Sequence, residues 1–286
     1  MTEKMSRSLS RGLLHTVIIF IALLWLIPTI GVLVTSFRPA QDVANSGWWT
    51  VFESIFSSVR LTLRNYEVVL SRLGIGRAFL NSFLITLPAT LIPLGIALFA
   101  AYALAWMRFF ARTFVFMIII ALLMVPLQMT FIPILQIFNK SGLAGTFPGI
   151  WLAHSGYGLP LAIYMLYNFI SGLPKELFDS AAIDGAPPFY IFLYIVLPLS
   201  VPIIASLTIF QFLWVWNDLL VALIYLGGTP DVAPITVQIS SLVGSYGQDW
   251  ELLTAAVFIS IVPSLAVFFG LQRYFVRGIL AGSIKE

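Results

Sequence analysis

Long uncharged, apolar runs alternate along the chain with short clusters of charge. Such runs lie between Arg11 and Arg38, Arg77 and Arg108, Arg112 and Lys140, Lys140 and Lys175, Asp184 and Asp218, and Glu251 and Arg273. Each exceeds the roughly 20 residues that a helix needs to cross a bilayer. The pattern predicts an all-α integral membrane protein with six spanning helices, near 13–36, 78–107, 113–138, 147–171, 198–226 and 252–274. Prolines inside these runs, among them Pro28, Pro88, Pro93, Pro126, Pro133, Pro160 and Pro263, do not exclude helix. Neighbouring helices in a bundle satisfy the backbone groups that proline frees. The first run has an apolar core longer than a secretory leader's and no small-x-small site after it, so a retained first helix is expected. There is no internal repeat and no linker-like stretch, which makes residues 1–286 a single transmembrane domain.

Composition agrees with that pattern and narrows the function classes. Hydrophobic residues make up 60% of the chain and charged ones 9%, with mean hydropathy +0.99. Soluble domains carry about 25% charge. A net charge of +3 leaves no basic surface for nucleic acid, and the absence of cysteine excludes disulfides, thiolate metal sites and thiol catalysis. With two histidines, His15 and His154, no metal cluster is expected.

Six spans put both termini on one side of the membrane. That side would carry Lys4, Arg7, Arg11, Arg108, Arg112, Lys175, Arg273, Arg277 and Lys285, and the other Arg38, Arg60, Arg64, Arg72, Arg77 and Lys140. The excess of positive residues on the first set places both ends in the cytoplasm. Most of the opposing charges fall in one long external loop, Phe37–Arg77. Trp48, Trp49, Trp151 and Trp250 suit the membrane interfaces.

The stretch 172–197 between the fourth and fifth spans holds Pro174, an acidic first turn, then Gly185 and the pair Pro187-Pro188. These are start and stop signals for a helix of about three turns. It carries the small residues Ser180, Ala181 and Ala182, with Phe178 as an apolar anchor and Asp179 and Asp184 as charges. Two readings fit: a helix that docks into a cleft of a cytoplasmic partner, and a passive connector at the membrane surface.

Within this stretch, Asp179-Ser180-Ala181, then three residues, Gly185, nine residues and Ile195-x-Leu197-Pro198, resembles the EAA loop of ABC-importer permeases. Asp179 stands for the family Glu and Ser180 for the first Ala, keeping charge and size. The wider string from Leu173-Pro174-x-Glu176-Leu177 to Ala182-Ile183-Asp184-Gly185-Ala186 looks like the carbohydrate-uptake branch, the type of the maltose importer's second permease. Pro126-Leu127-Gln128 to Gly142-Leu143, Trp216-Asn217-Asp218 and the tail from Arg273 to Gly278 and Gly282 to Lys285 share the likeness.

The resemblance implies a membrane subunit of a binding-protein-dependent importer in the bacterial or archaeal plasma (inner) membrane. It implies a sister permease, two cytoplasmic ATPase subunits and an extracytoplasmic solute-binding protein as partners. The solute would be a sugar or glycoside. ATP and Mg2+ would sit on the ATPase subunits, with no cofactor in this chain. Phe178, Asp179, Ser180, Ala181, Ala182, Asp184 and Gly185 would form the ATPase-docking helix.

Asp218 is the one acid expected deep in a span, beside Trp214, Trp216 and Asn217. A charge at the bilayer centre costs about 2.5–3.5 kcal/mol on insertion scales, so it should face the bundle interior or a watery path. It can line a translocation path, anchor neighbouring elements by hydrogen bonds, or lie nearer the outer surface. Tryptophan faces and amides suit a sugar's C–H surface and hydroxyls, which makes Trp214, Trp216, Asn217, Asp218 and Gln128 path candidates. Gln128, Asn139 and Asn81 can equally hold helices together. His154 is expected to satisfy a local hydrogen bond. A stand-alone secondary transporter using Asp218 for ion coupling is the competing reading, although internal duplication is usual there. No Gly-x-Ser-x-Gly, His-Glu-x-x-His or Walker motif occurs, so a membrane enzyme and a self-contained ATPase are not expected.

Overall fold

The computed structural model describes residues 2–53, 60–245 and 249–283, and the side chains of 2–10, 53, 244–245 and 275–283 are not described. All regular structure among them is helical: α1 Thr2–Ser36, α2 Ala40–Asn45, α3 Thr50–Glu53, α4 Arg64–Ser71, α5 Ile75–Trp106, α6 Arg112–Leu123, α7 Phe131–Ser141 and α8 Phe147–Ser171. There follow α9 Lys175–Ile183, α10 Pro188–Ile191, α11 Leu197–Leu199, α12 Val201–Trp216, α13 Leu220–Leu226, α14 Ile235–Ser245 and α15 Trp250–Ser283. The chain divides into two compact units, residues 1–76 with 239–259, and residues 77–238 with 260–286.

In the first unit the segment after α1 is a folded cap rather than a loose loop. Arg38 is buried, and its guanidinium donates to the carbonyls of Asp42 at 2.8 Å and Ser46 at 3.0 Å. Five N–H donors let arginine satisfy several carbonyls at once, which is what makes its burial tolerable. Asn65 Nδ2 donates to the carbonyls of Ser36 and Arg38, both at 2.9 Å, and the Phe37 and Tyr66 rings meet at 5.0 Å. Asn65 and the Tyr66 ring thus pin α4 to the end of α1.

In the second unit α8 packs against α6, α12 and α13. The inner face of α5 carries Ala89, Ala97 and Ala101, all fully enclosed. Small residues let helices approach closely where lipid gives no hydrophobic drive to associate. Leu94, Leu98 and Leu104 of α5 join Ile163, Leu166 and Ile170 of α8 and Val196, Ile203 and Leu207 in one core cluster.

Three described helices are long and apolar enough to cross a membrane: Arg11–Ser36, Ile75–Trp106 and Trp250–Tyr274. The runs expected as continuous helices at 113–138 and 198–226 are both broken. α6 and the segment Leu127–Ser141 meet at 99°, and Pro188–Leu199 meets α12 at 73°. At the first bend Pro126 lacks an N–H and forces Val125 out of helical conformation. At the second, Pro202 has no N–H to give the Pro198 carbonyl, which the backbone at the Ser200 cap engages instead. Counting each bent pair as one span gives five. α8 has 25 residues, enough length, but Gly149, His154, Ser155, Gly156 and Gly158 dilute its apolar content.

Candidate functional site

The helix α9 is bounded by local chemistry that the sequence makes explicit. Pro174 precedes its first turn, where Glu176 stands. At the other end Gly185 takes φ +72°, donating its N–H to the Ala182 carbonyl at 3.1 Å, while Ala186 N–H reaches Ala181 at 2.9 Å. This pair of bonds is a Schellman closure, which requires a left-handed residue just past the helix and so favours glycine. Lys175 Nζ pairs with Asp179 at 2.7 Å on the exposed face.

The two faces of α9 differ from the sequence expectation at Phe178. Its side chain is 7% exposed and stacks on the indole of Trp106, with ring centroids 3.5 Å apart and planes 13° from parallel. Trp106 Nε1 donates to the Ile170 carbonyl at 3.0 Å, tying α5, α8 and α9 together. Nearby, Tyr102 OH donates to the Pro188 carbonyl at 3.0 Å, and Phe192 stacks on Phe99 at 4.6 Å. Phe178 is therefore the root of the helix in its own bundle, not a knob offered to a partner. Ala181 also packs inward. The outward face presents Asp179, Ser180, Ala182, Asp184 and Gly185. It also presents Ile183, 86% exposed, which the sequence reading passed over. Helical spacing contained the signal: Phe178 and Ala181 share a face at i, i+3, and Ile183 falls off it.

A second constellation lies where α12 gives way to α13. Gln128, Trp214, Asn217 and Asp218 line one cleft of about 330 Å³, together with Leu127, Leu213 and the residues 219–221. Asp218 is not within a helix: its carboxylate accepts the N–H of Val221 at 3.3 Å and of Ala222 at 2.9 Å, closing the first turn of α13. Thr236 Oγ1 donates to its carbonyl, and His154 Nε2 stands 3.8 Å from Oδ2. His154 is enclosed, and its ring meets Trp214 edge-on at 5.8 Å. Asn217 Nδ2 returns to the Leu213 carbonyl at 2.8 Å.

Trp216 does not belong to this group. It is 1% exposed, packed by Phe79, Phe83 and Phe212, with its Nε1 donating to the Ser260 carbonyl at 2.9 Å. Successive helical residues diverge by about 100°, so Trp214 and Trp216 cannot share a face. Asn81 ties α5 to the loop before α14 rather than to another helix, donating to the carbonyls of Asp231 and Ala233 at 3.0 and 3.1 Å. Gln211, which the sequence did not single out, donates to the Ala89 carbonyl at 3.1 Å, and a Cβ on Gly158 would collide with its amide. Gln211, Trp214 and Tyr157 line a larger, mainly apolar cavity of about 770 Å³ between α6, α7, α8 and α12. Of the tail residues shared with the resemblance, Ile284 and Lys285 lie outside the described residues.

The family profile described as binding-protein-dependent transport system inner membrane component matches residues 92–281. The osmoprotective compounds uptake permease protein GgtD of Synechocystis sp. is 58% identical over 273 residues, covering 96% of this chain and 92% of that protein. The alpha-glucoside transport system permease protein AglG of Rhizobium meliloti is 53% identical over 250 residues, 86% of this chain and 66% of the relative. Among solved structures, a chain of a bacterial ABC transporter that imports the acidic polysaccharide alginate superposes with TM-score 0.74. That match covers 92% of this chain and 96% of the other at 21% identity, and shows a shared fold.

Proposed function

The chain belongs to the family of binding-protein-dependent transport system inner membrane components, and from that premise we propose that it carries a sugar or glycoside inward as one of two permease subunits of an ATP-driven importer. The relative named for alpha-glucosides supports this solute class. Its partners in the proposal are a sister permease, two cytoplasmic ATPase subunits that bind ATP and Mg2+, and an extracytoplasmic solute-binding protein.

The observation that carries the reading is the two-faced build of α9. One face is rooted by Phe178 on Trp106, and the other offers Ile183 and a polar surround to a partner. A short helix fixed in this way transmits a push from outside to α5 and α8. Asp179, Ser180, Ala182, Ile183, Asp184 and Gly185 form the docking face. Asp179 can exchange its exposed Lys175 partner for a basic group of an ATPase at small cost, since exposed i,i+4 pairs contribute only about 0.3–0.5 kcal/mol.

In this proposal the six spans are α1, α5, the bent pair α6–α7, α8, the bent pair α10–α12, and α15, with both termini cytoplasmic. Nine of the 15 Lys and Arg residues then lie inside. Burial of Arg38 takes one of the outer charges out of the count of free flanking residues. Gln128, Trp214, Asn217 and Asp218 form the wall of the translocation path, and Trp216 supports it from behind. Ion coupling through Asp218 fits less well, because no second acid lines its cleft to share the coupling ion.

The test is reconstitution. Uptake should require ATP, the ATPase subunits and the binding protein together. Solute concentration by this chain alone in vesicles would contradict the proposal.

A further inference from the structure

The cleft between the turn Leu127–Thr130 and the start of α13 holds groups whose hydrogen-bonding capacity the fold leaves open. Gln128 is exposed and its amide has no partner among the described residues. The same holds for the Trp214 indole N–H and for Asn217 Oδ1, while Asn217 Nδ2 is engaged by the Leu213 carbonyl. Both Asp218 oxygens accept one backbone N–H each and keep a free lone pair. Donors and acceptors are thus interleaved around an indole face, the complement of a ring that carries hydroxyls on one side and C–H bonds on the other. The volume of about 330 Å³ falls at the lower end of the roughly 300–1,000 Å³ usual for small-molecule sites.

Charge in the cleft is one-sided. No Lys or Arg lines it, and Asp218 is its single ionisable lining residue. A carboxylate in the cleft wall, with buried His154 3.8 Å behind it, repels an anion brought within a few ångströms of it. We infer that this cleft contacts electroneutral, polyhydroxylated solutes and excludes carboxylated saccharides, with Asp218 as the specificity-determining residue. The inference rests on the reading of the cleft as part of the translocation path.

The experiment is equilibrium binding of two matched probes, methyl α-glucoside and methyl α-glucuronoside. They share a ring and differ by a hydroxymethyl against a carboxylate. The full-length chain, assembled with its partner subunits in nanodiscs and without binding protein, is titrated at neutral pH and low ionic strength. The neutral probe should bind about tenfold more tightly, a gap of about 1.4 kcal/mol, and the gap should shrink as salt is added. Asp218→Asn should bring the two probes to near parity by raising affinity for the glucuronoside. Gln128→Lys, at an exposed position that a fold defect does not confound, should do the same by adding a compensating cation. Equal binding of both probes to the unmodified protein overturns the inference. So does an unchanged ratio in Asp218→Asn and Gln128→Lys when Trp214→Ala abolishes glucoside binding, an outcome that leaves the path reading standing. Unchanged glucoside binding in both Trp214→Ala and Asn217→Ala overturns the path reading and the inference with it.

Discussion

Phe178 lies flat on Trp106, ring centroids 3.5 Å apart, so the helix that turns Ile183 outward is fixed to α5 by its opposite face. A motion imposed on the outer face of α9 has a stiff, aromatic route into the bundle, and Trp106 shares it with α8 through the Ile170 carbonyl.

Phe178→Ala removes the stack and leaves a cavity, which in buried sites costs about 3–5 kcal/mol. The bundle should still insert, since its long apolar helices are untouched. ATP hydrolysis by the assembled importer should continue while uptake per ATP falls several-fold. The ratio of transport to phosphate release in proteoliposomes checks this.

Gly185→Asp places a side chain at φ +72°, where L residues are strained by about 1–2 kcal/mol. Nothing crowds the position, so the effect is conformational rather than steric. The Schellman closure should loosen and ATPase capture in pull-downs should weaken, with membrane insertion intact. Gly185→Asn, better suited to the left-handed region, should retain more binding than Gly185→Asp.

The loop 172–197 was legible because its signals are local. Pro174, Glu176 and Gly185 act on their own turn, and α9 begins and ends where they direct. The bends were not legible. A run of uncharged residues reports composition, and both faces of a buried membrane helix are apolar, so neither Val125-Pro126 nor Ser200 stands out by pattern. The orientation of single side chains was lost for the same reason. Trp214 and Trp216 look equivalent in the sequence, yet one borders a cleft and the other is enclosed by Phe79, Phe83 and Phe212. Asp218, expected inside a span, instead closes the first turn of α13 because the chain breaks at Asn217.

Asp218→Ala leaves the N–H groups of Val221 and Ala222 without their acceptor, a loss of the order of 0.5–2 kcal/mol for a helix-start residue. Thermal unfolding of the detergent-solubilised chain should shift down by a few degrees. Uptake should fall by a larger factor than that shift accounts for. Asp218→Asn should recover the melting temperature better than the uptake.

Ile183→Glu exchanges a residue 86% exposed for a charge. The fold should be unaffected. Co-purification of the ATPase subunits should drop by at least tenfold, the outcome expected if Ile183 fills an apolar pocket on them, where such a side chain is worth about 1.5–3 kcal/mol.

The most direct measurement uses the fact that the chain has no cysteine. Ile183→Cys supplies a single thiol on the exposed face of α9. In cells expressing the whole importer, a membrane-impermeant maleimide added outside should leave this thiol unlabelled. A bifunctional reagent applied to inside-out vesicles should join it to the ATPase subunit. Labelling from the outside, or a thiol in inside-out vesicles that never couples to the ATPase, would contradict the account.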